Sequence, residues 1–403
     1  MSIITFANNA ITYYNGKFGI GETTSTDYFS LPGGTEIKGN VTCDSIALSG
    51  PFTKLGSATQ SEFKSWVQSI TDEAKENWWS KAAVPRFSTV STGSLTGYNG
   101  CVLLPDGRVV FVPNNGSLIG IFNPYTNAFS TGATSTGYSG GVLLPDGNVV
   151  FVPSDGTAIG MFNPSTNGFT TISATGATGY SGGVLLSDGR VVFVPASAAN
   201  IGIFNQSTNA FLSDIPTTGA TEVPKYAGGV LIPDGRVVFV PRDAANIGIF
   251  NPSTSGFSTI PTTGVTGTNK YSGGVLLPDG RVVFVPRDAT NIGIFNPSTN
   301  GFSTIPTGLT GVNKYLGGVL LPDGRVLFVP DSTANIGIFD PFSDTPFSAT
   351  IAGGTGSYKY QGGVLLPDGR VIFAPLTATN IGIVSGFAPV PLDRCLHPCF
   401  NKF

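Results

Sequence analysis

The sequence predicts an all-β chain dominated by a seven-bladed β-propeller over residues 84–394, and three observations carry that expectation. First, 55 Gly and 29 Pro among 403 residues indicate many short strands joined by turns. Second, one unit recurs seven times, opened by Tyr98, Tyr138, Tyr180, Tyr226, Tyr271, Tyr315 and Tyr360 at spacings of 40 to 46 residues, the period of a propeller blade. Third, the last copy lacks its final segment, and a match to that segment stands ahead of the first copy.

Each copy reads as four short strands, a to d. Pro278-Asp279-Gly280 separates strands a and b, as Gly accepts positive φ and Asp can bond to the turn backbone. Asn296-Pro297-Ser298-Thr299-Asn300 does the same between c and d. Strand b, Val282-Val283-Phe284-Val285, is apolar at both parities, the pattern of a strand buried on both faces by stacked sheets. Paired glycines in strand a (Gly140-Gly141, Gly182-Gly183, Gly228-Gly229) are expected where innermost strands converge on the axis and side chains would collide.

The closure follows from the seventh copy. Six copies have a strand d carrying Phe129, Phe169, Phe211, Phe257, Phe302 or Phe347, whereas the seventh stops after Asn380-Ile381-Gly382-Ile383-Val384-Ser385-Gly386. Arg86-Phe87-Ser88-Thr89-Val90 matches Gly301-Phe302-Ser303-Thr304-Ile305 and is expected to complete the last blade as its outer strand, removing an open sheet edge. The run Leu-Leu-Pro-Asp-Gly-Arg-Val-Val-Phe-Val followed by Ile-Gly-Ile-Phe-Asn-Pro-Ser-Thr-Asn-Gly-Phe resembles the kelch repeat, including the variety in galactose-oxidase-like propellers. It departs from that pattern after strand b, where Pro113, Pro153, Pro195, Pro241, Pro286, Pro330 and Pro375 replace the usual Gly-Gly.

Residues 1–56 form a different, β-rich segment. Asn15-Gly16-Lys17-Phe18-Gly19-Ile20-Gly21, Ile37-Lys38-Gly39-Asn40-Val41-Thr42 and Ser45-Ile46-Ala47-Leu48-Ser49-Gly50 resemble the β-structured segments of phage tail-fibre and other virion surface proteins, a resemblance that implies trimeric anchoring. Glu22 and Asp27-Tyr28-Phe29 interrupt that pattern. Over residues 57–83 the period changes: Thr59-Gln60-Ser61-Glu62 fits a capping box, and Phe63, Trp66, Val67, Ile70, Ala74 and Trp78 recur at helical spacing. One amphipathic helix is expected, its stripe either docked on the propeller or forming a trimeric seam. Residues 395–403 are a tail.

Only 11% of residues are Asp, Glu, Lys or Arg and the formal net charge is -3, which leaves no footprint for nucleic acid. No stretch is long and apolar enough for membrane insertion, and the opening Met1-Ser2-Ile3-Ile4-Thr5-Phe6 lacks the pattern of an export signal. Four cysteines are too few for a disulfide framework. The one histidine, His397, lies in Cys395-Leu396-His397-Pro398-Cys399, short of the four ligands of a structural zinc site. Cys43 reads as an ordinary strand residue, and Cys101 replaces the second glycine of strand a and is expected to be buried. No cofactor or metal is expected, and copper chemistry of the galactose-oxidase kind lacks its histidines.

The aspartates of the a–b turns (Asp106, Asp146, Asp188, Asp234, Asp279, Asp323, Asp368) recur in every copy and so read as turn formers. The seven tyrosines, and Arg108, Arg190, Arg236, Arg281, Arg325 and Arg370, take the same structural reading. Differences between copies concentrate in the d–a and b–c loops, which share one face of the disc. There Lys225, Arg242, Lys270, Arg287, Lys314 and Lys359 of blades four to seven form a candidate basic arc able to hold an anionic glycan by charge-assisted hydrogen bonds. On a second reading Arg242-Asp243 and Arg287-Asp288 pair between blades and only order loops.

These features point to a virion surface protein of a phage or similar virus, a tail-fibre or capsid-decoration component made in the host cytoplasm. Residues 1–83 would anchor it to other virion proteins as a homotrimer, and the propeller would be displayed for attachment to a host-surface glycan or receptor. A cellular kelch-type scaffold or lectin is one alternative. A glycan-degrading enzyme is another, with Asp155, Glu222, Asp243, Asp288 and Asp331 as its stock of unlike carboxylates. Light scattering tests the anchor: a trimer for the intact chain and a monomer after removal of residues 1–83 are expected, and a monomer in both cases removes the trimeric anchor.

Overall fold

The structure, a computed structural model, describes residues 11–14, 17–20, 85–116, 118–343, 347–352 and 354–389. The expected helix, most of the fibre-like segment, Cys43 and the tail with Cys395, His397 and Cys399 lie outside the described residues. The chain divides into two compact units, Met1–Lys81 and Ala82–Phe403. In the first, strands Ile11–Tyr14 and Lys17–Ile20 pair antiparallel, with Ile11 opposite Ile20 and Tyr14 opposite Lys17.

The second unit is a seven-bladed propeller of seven four-stranded antiparallel sheets. Blade 1 consists of Tyr98–Leu103, Val109–Pro113, Leu118–Asn123 and Ala128–Thr134, hydrogen-bonded in that order. Blade 7 takes Tyr360–Leu365, Val371–Pro375 and Asn380–Ser385 from the end of the repeats and Arg86–Ser91 from their beginning. Arg86 stands opposite Ser385 and Ser91 opposite Asn380, so the expected outer-strand closure is present in full register.

Strand b is buried along its whole length in all seven blades. The core is accordingly a set of apolar layers between neighbouring sheets. Val230, Val238 and Val240 of blade 4, for instance, pack on Tyr271, Val282 and Phe284 of blade 5. Each opening tyrosine lies across its own sheet: Tyr271 packs against Phe284 of strand b and Phe302 of strand d, with centroids 5.7 and 6.5 Å away. A Cβ on Gly293 in strand c would come to 3.0 Å from Tyr271, Phe284 and Phe302 alike, so the glycine of Ile-Gly-Ile makes room for three rings.

The paired glycines of strand a have two separate causes. The first of each pair has positive φ, as at Gly273 (+85°), inside an irregularity of the pairing between Tyr271 and Gly274. A Cβ there would come to 3.0 Å from Gly317 Cα of the next blade, so backbones do converge at this level. The second answers to the blade behind rather than to the axis. A Cβ on Gly141 would lie 2.8 Å from Val102 Cγ2 and 3.0 Å from Val112 Cγ2 of blade 1, closer than real Cβ atoms pack, which imposes a strain cost.

Blade 1 breaks this rule with Cys101, which is buried as expected. Burial holds its thiol protonated, far above the ordinary thiol range. The residues of blade 7 at the positions of Val102 and Val112 are Val364 and Ala374, and both join Cys101 in one core cluster. Ala374 is the only alanine at a site occupied by Val112, Val152, Val194, Val240, Val285 and Val329 in the other blades. The alanine takes two methyl groups out of the core layer that also holds the thiol. Ala374→Val is therefore expected to cost about 1–3 kcal/mol by overpacking, and the cost should largely vanish in a Cys101→Gly background. A urea-unfolding double-mutant cycle reads the difference; equal costs in both backgrounds would refute the size match.

Candidate functional site

The two faces of the propeller differ. On the face of the a–b and c–d turns, each a–b aspartate caps its own turn: Asp279 Oδ1 accepts from Arg281 N–H at 3.0 Å, and its Oδ2 pairs with Arg281 Nη2 at 2.6 Å. Five further blades repeat that ion pair, and in blade 2 Asn148 Nδ2 donates to Asp146 instead. The carboxylates of Asp188 and Asp234 are held below the usual range, chiefly by the hydrogen bond from the arginine. Several arginines also reach the next blade, as Arg108 Nη2 does to Pro164 O and Arg370 Nη2 to Pro124 O, both at 2.7 Å. These groups are spent on turn structure.

The opposite face is built on a closed circle of backbone hydrogen bonds. In every blade the residue before the opening tyrosine donates its N–H to the first b–c loop carbonyl of the blade behind. The donors run Gly137 to Asn114, Gly179 to Ser154, Lys225 to Ala196, Lys270 to Arg242, Lys314 to Arg287 and Lys359 to Asp331. The circle ends with Gly97 to Leu376 at 2.6 Å, across the closing seam. Its seven acceptor positions therefore carry unlike side chains on one shared frame.

The four lysines of the candidate arc lie inside this frame. Lys225, Lys270, Lys314 and Lys359 are buried, and burial pushes each ammonium below its ordinary pKa. Each donates to backbone carbonyls: Lys225 to Ala198 O (2.6 Å), Lys270 to Gly267 O (3.1 Å), Lys314 to Gly311 O (2.9 Å), and Lys359 to Thr333 O (2.8 Å) and Gly356 O (3.1 Å). Blades 1 to 3 have Gly97, Gly137 and Gly179 at this place, all at positive φ. In blades 5 to 7 the left-handed residue moves one position upstream, to Asn269, Asn313 and Tyr358, which frees the next position for a side chain.

Arg242 and Arg287 behave differently. Among the described residues neither makes an ion pair; in place of the Asp243 and Asp288 partners of the second reading they make amide contacts. Arg242 Nε donates to Asn269 Oδ1 at 2.8 Å, and Arg287 Nη1 approaches the same oxygen at 3.4 Å. Arg287 Nε continues to Asn313 Oδ1 at 3.0 Å, and Asn313 Nδ2 to Tyr358 Oη at 3.0 Å. Asp243 and Asp288 accept the backbone N–H of Asn269 and Asn313 at 2.5 and 2.6 Å, fixing the two amides in place. One polar network thus crosses blades 4 to 7. Burial and the neighbouring Arg287 guanidinium together lower the pKa of Arg242. Asn269, Asn313 and Tyr358 are the members that the sequence reading passed over; Asn-Lys-Tyr opens only blades 5 and 6, and that restriction was the available signal.

Asp331 stands at the corresponding position of blade 6. It is fully buried, and among the described residues its Oδ2 has no hydrogen-bond partner. Burial raises its carboxyl to about 6, against the opposing pull of Arg287, Ser332 and Lys359. The other carboxylates noted in the sequence are dispersed: Asp155 is exposed in a blade 2 loop and Glu222 accepts from Thr221 N–H at 3.1 Å. Among the described residues no three metal-ligating side chains cluster, and no helix is long and apolar enough to cross a membrane.

No family model matches the chain, and no curated protein matches it. Solved structures do. A streptogramin B lyase superposes with a TM-score of 0.65 at 18% identity, over 75% of this chain and 97% of its own. A catalytically inactive variant of virginiamycin B lyase from Staphylococcus aureus, with quinupristin, gives 0.61 at 16% over 75% and 99%. A fungal alcohol oxidase of the AA5 family in complex with copper gives 0.60 at 13% over 77% and 79%. At these identities the likeness defines a class by fold alone, the seven-bladed propellers.

The Asp331 carboxyl yields a pH dependence of known sign. Its folded pKa lies above the unfolded value, so its contribution to stability is intact below about pH 4 and is lost as pH rises through about 6. The difference amounts to about 3 kcal/mol. Asp331→Asn is expected to melt close to the parent at pH 4 and higher than it at pH 8. Parallel melting profiles across that range would show that Asp331 does not titrate there.

Proposed function

We propose that the protein is a surface-displayed recognition propeller, a virion component of the tail-fibre or capsid-decoration kind, that attaches to a host-surface glycan through the face of the d–a and b–c loops. The observation that carries the recognition half is the contrast between faces. Seven near-identical turns cover one side, while the other places unlike side chains on a rigid backbone circle, the arrangement in which loops on a scaffold do the binding. Blades 4 to 7 concentrate the guanidiniums of Arg242 and Arg287, the amides of Asn269 and Asn313, and the half-exposed ring of Tyr358 on that side. Guanidinium, amide and aromatic groups are the chemistry that grips sugar hydroxyls, acidic substituents and pyranose faces.

Two points favour binding over turnover. Asp243 and Asp288 each hold a backbone N–H through Oδ1, and Asp331 is enclosed, so all three serve the loop frame. The display half rests on the resemblance of residues 1–56 to fibre segments.

Full-length protein labelled with a fluorophore is expected to stain the surface of host cells saturably, and staining should fall after periodate oxidation of surface glycans. Antibody against the propeller should decorate purified particles. Staining that survives both periodate and protease treatment would overturn glycan attachment, and particles without the protein would overturn the virion assignment.

A further inference from the structure

The strongest unassigned feature is the meeting of two like charges at one neutral atom. Arg242 and Arg287 come from different blades, yet both turn toward Asn269 Oδ1, at 2.8 and 3.4 Å. Guanidiniums repel one another, and among the described residues no carboxylate lies within ion-pair distance to offset that. Asp243 and Asp288 each turn one oxygen to the backbone N–H of Asn269 and Asn313, and Asp331, which attracts Arg287, is enclosed. At contact distance the pair is held by neutral amides rather than by carboxylates, with Asp243, Asp288 and Asp331 acting only from further off, as in a site prepared for an anion that arrives from outside.

Donor accounting supports this. A guanidinium has five N–H donors. Among the described residues Arg242 uses Nε alone, which leaves both terminal nitrogens without an acceptor there, and Arg287 uses Nε and Nη1, which leaves Nη2. None of these nitrogens is among the buried unpartnered atoms, so they open to solvent. The repeat offers an internal comparison: the same ring position holds Asn114, Ser154, Ala196, Asp331 and Leu376 in the other blades, so the frame does not require arginine there. Planar forks of this kind match two-oxygen anions bidentately.

We infer that Arg242 and Arg287 form a twin-guanidinium clamp for an oxyanion carried on a sugar, a carboxylate, sulfate or phosphate substituent of the glycan. The inference rests on the recognition reading above and narrows it. The buried lysines are scaffold, and the charge that selects the ligand comes from the two arginines alone.

Calorimetric titration of the full chain with a hexuronate oligosaccharide, its neutral counterpart, and sulfated and phosphorylated forms tests the clamp. At least one acidic form is expected to bind with affinity that falls as salt rises, and Arg242→Gln or Arg287→Gln should each weaken it about tenfold or more with the melting temperature preserved. Which acidic form binds identifies the substituent. Where glutamine lowers the melting temperature, Arg242→Lys keeps the charge but not the fork and is expected to weaken binding as well. Acidic binding unchanged in the variants, equal binding of the neutral form, or no binding of any acidic form overturns the clamp. Cell-surface staining separates the two ideas: if Arg242→Gln and Arg287→Gln stain cells like the parent, the clamp fails while recognition stands, and if the parent does not stain cells, the recognition reading fails whatever the titration gives.

Discussion

The distance between neighbouring sheets governs this molecule. Valines from strands a and b of one blade press so closely on strand a of the next that a Cβ there would lie about 3 Å from their methyl groups, and six of seven blades answer with glycine. That contact makes strand b wholly buried, because it is packed on both faces by neighbouring sheets. It also explains why the tyrosine, the strand c glycine and the strand d phenylalanine recur together: with the inter-sheet gap fixed, each blade has one way to fill its own volume. Where the glycine is absent, the partner residue shrinks, and Cys101 opposite Ala374 marks the seam at which the first and last blades meet.

A rigid stack also decides what the loops can do. Because every blade hands the same backbone N–H to the blade behind, the side chains at the acceptor positions can differ without disturbing the frame. Blades 4 to 6 use this freedom to place Arg242, Arg287 and Asp331 side by side. Their electrostatics follow from what holds them. The arginines are offset by amide oxygens at the surface, and the carboxylate is enclosed and, among the described residues, left with one oxygen unpaired. Charged groups that a purely structural ring would not need are retained at this one place.

Most of the architecture was legible in the sequence because it is repeated. Seven copies of the Pro-Asp-Gly type of turn, or its close variant Leu186-Ser187-Asp188-Gly189, outweigh any local ambiguity, and Arg86-Phe87-Ser88-Thr89-Val90 could be assigned to blade 7 only because six other strands showed what was missing. The candidate site was legible in part. Arg242 and Arg287 stood out as departures from the repeat, but their partners did not. Asp243 follows Arg242 in sequence while Asn269 lies on the next blade, and composition gives no means of choosing between a carboxylate and an amide at similar reach. The four lysines belong to the basic arc that the sequence suggests, yet all four are buried. For Lys270, Lys314 and Lys359 the place is opened to a side chain by a one-residue shift of the left-handed position in the preceding loop, a backbone property that residue identity before Lys-Tyr encodes only faintly. Crowding at the axis, which the sequence suggests for the glycine pairs, accounts for the first member; the second depends on a neighbouring blade invisible to any single repeat.

Closure by Arg86–Ser91 has a temporal side. During synthesis this is the first strand of the propeller to leave the ribosome, and its partner Asn380–Ser385 is the last. The final blade thus cannot assemble until almost the whole repeat region has been made, and the contact it forms is among the longest in the chain, Ser385 to Arg86. Contacts of such separation are slow to form. Until they do, strand c of blade 7 and the early strand both present unpaired edges, open to other chains emerging nearby. The ring that is so uniform once complete therefore passes its most vulnerable interval at its closing seam, and conditions of high expression should burden that seam before any other blade of the propeller.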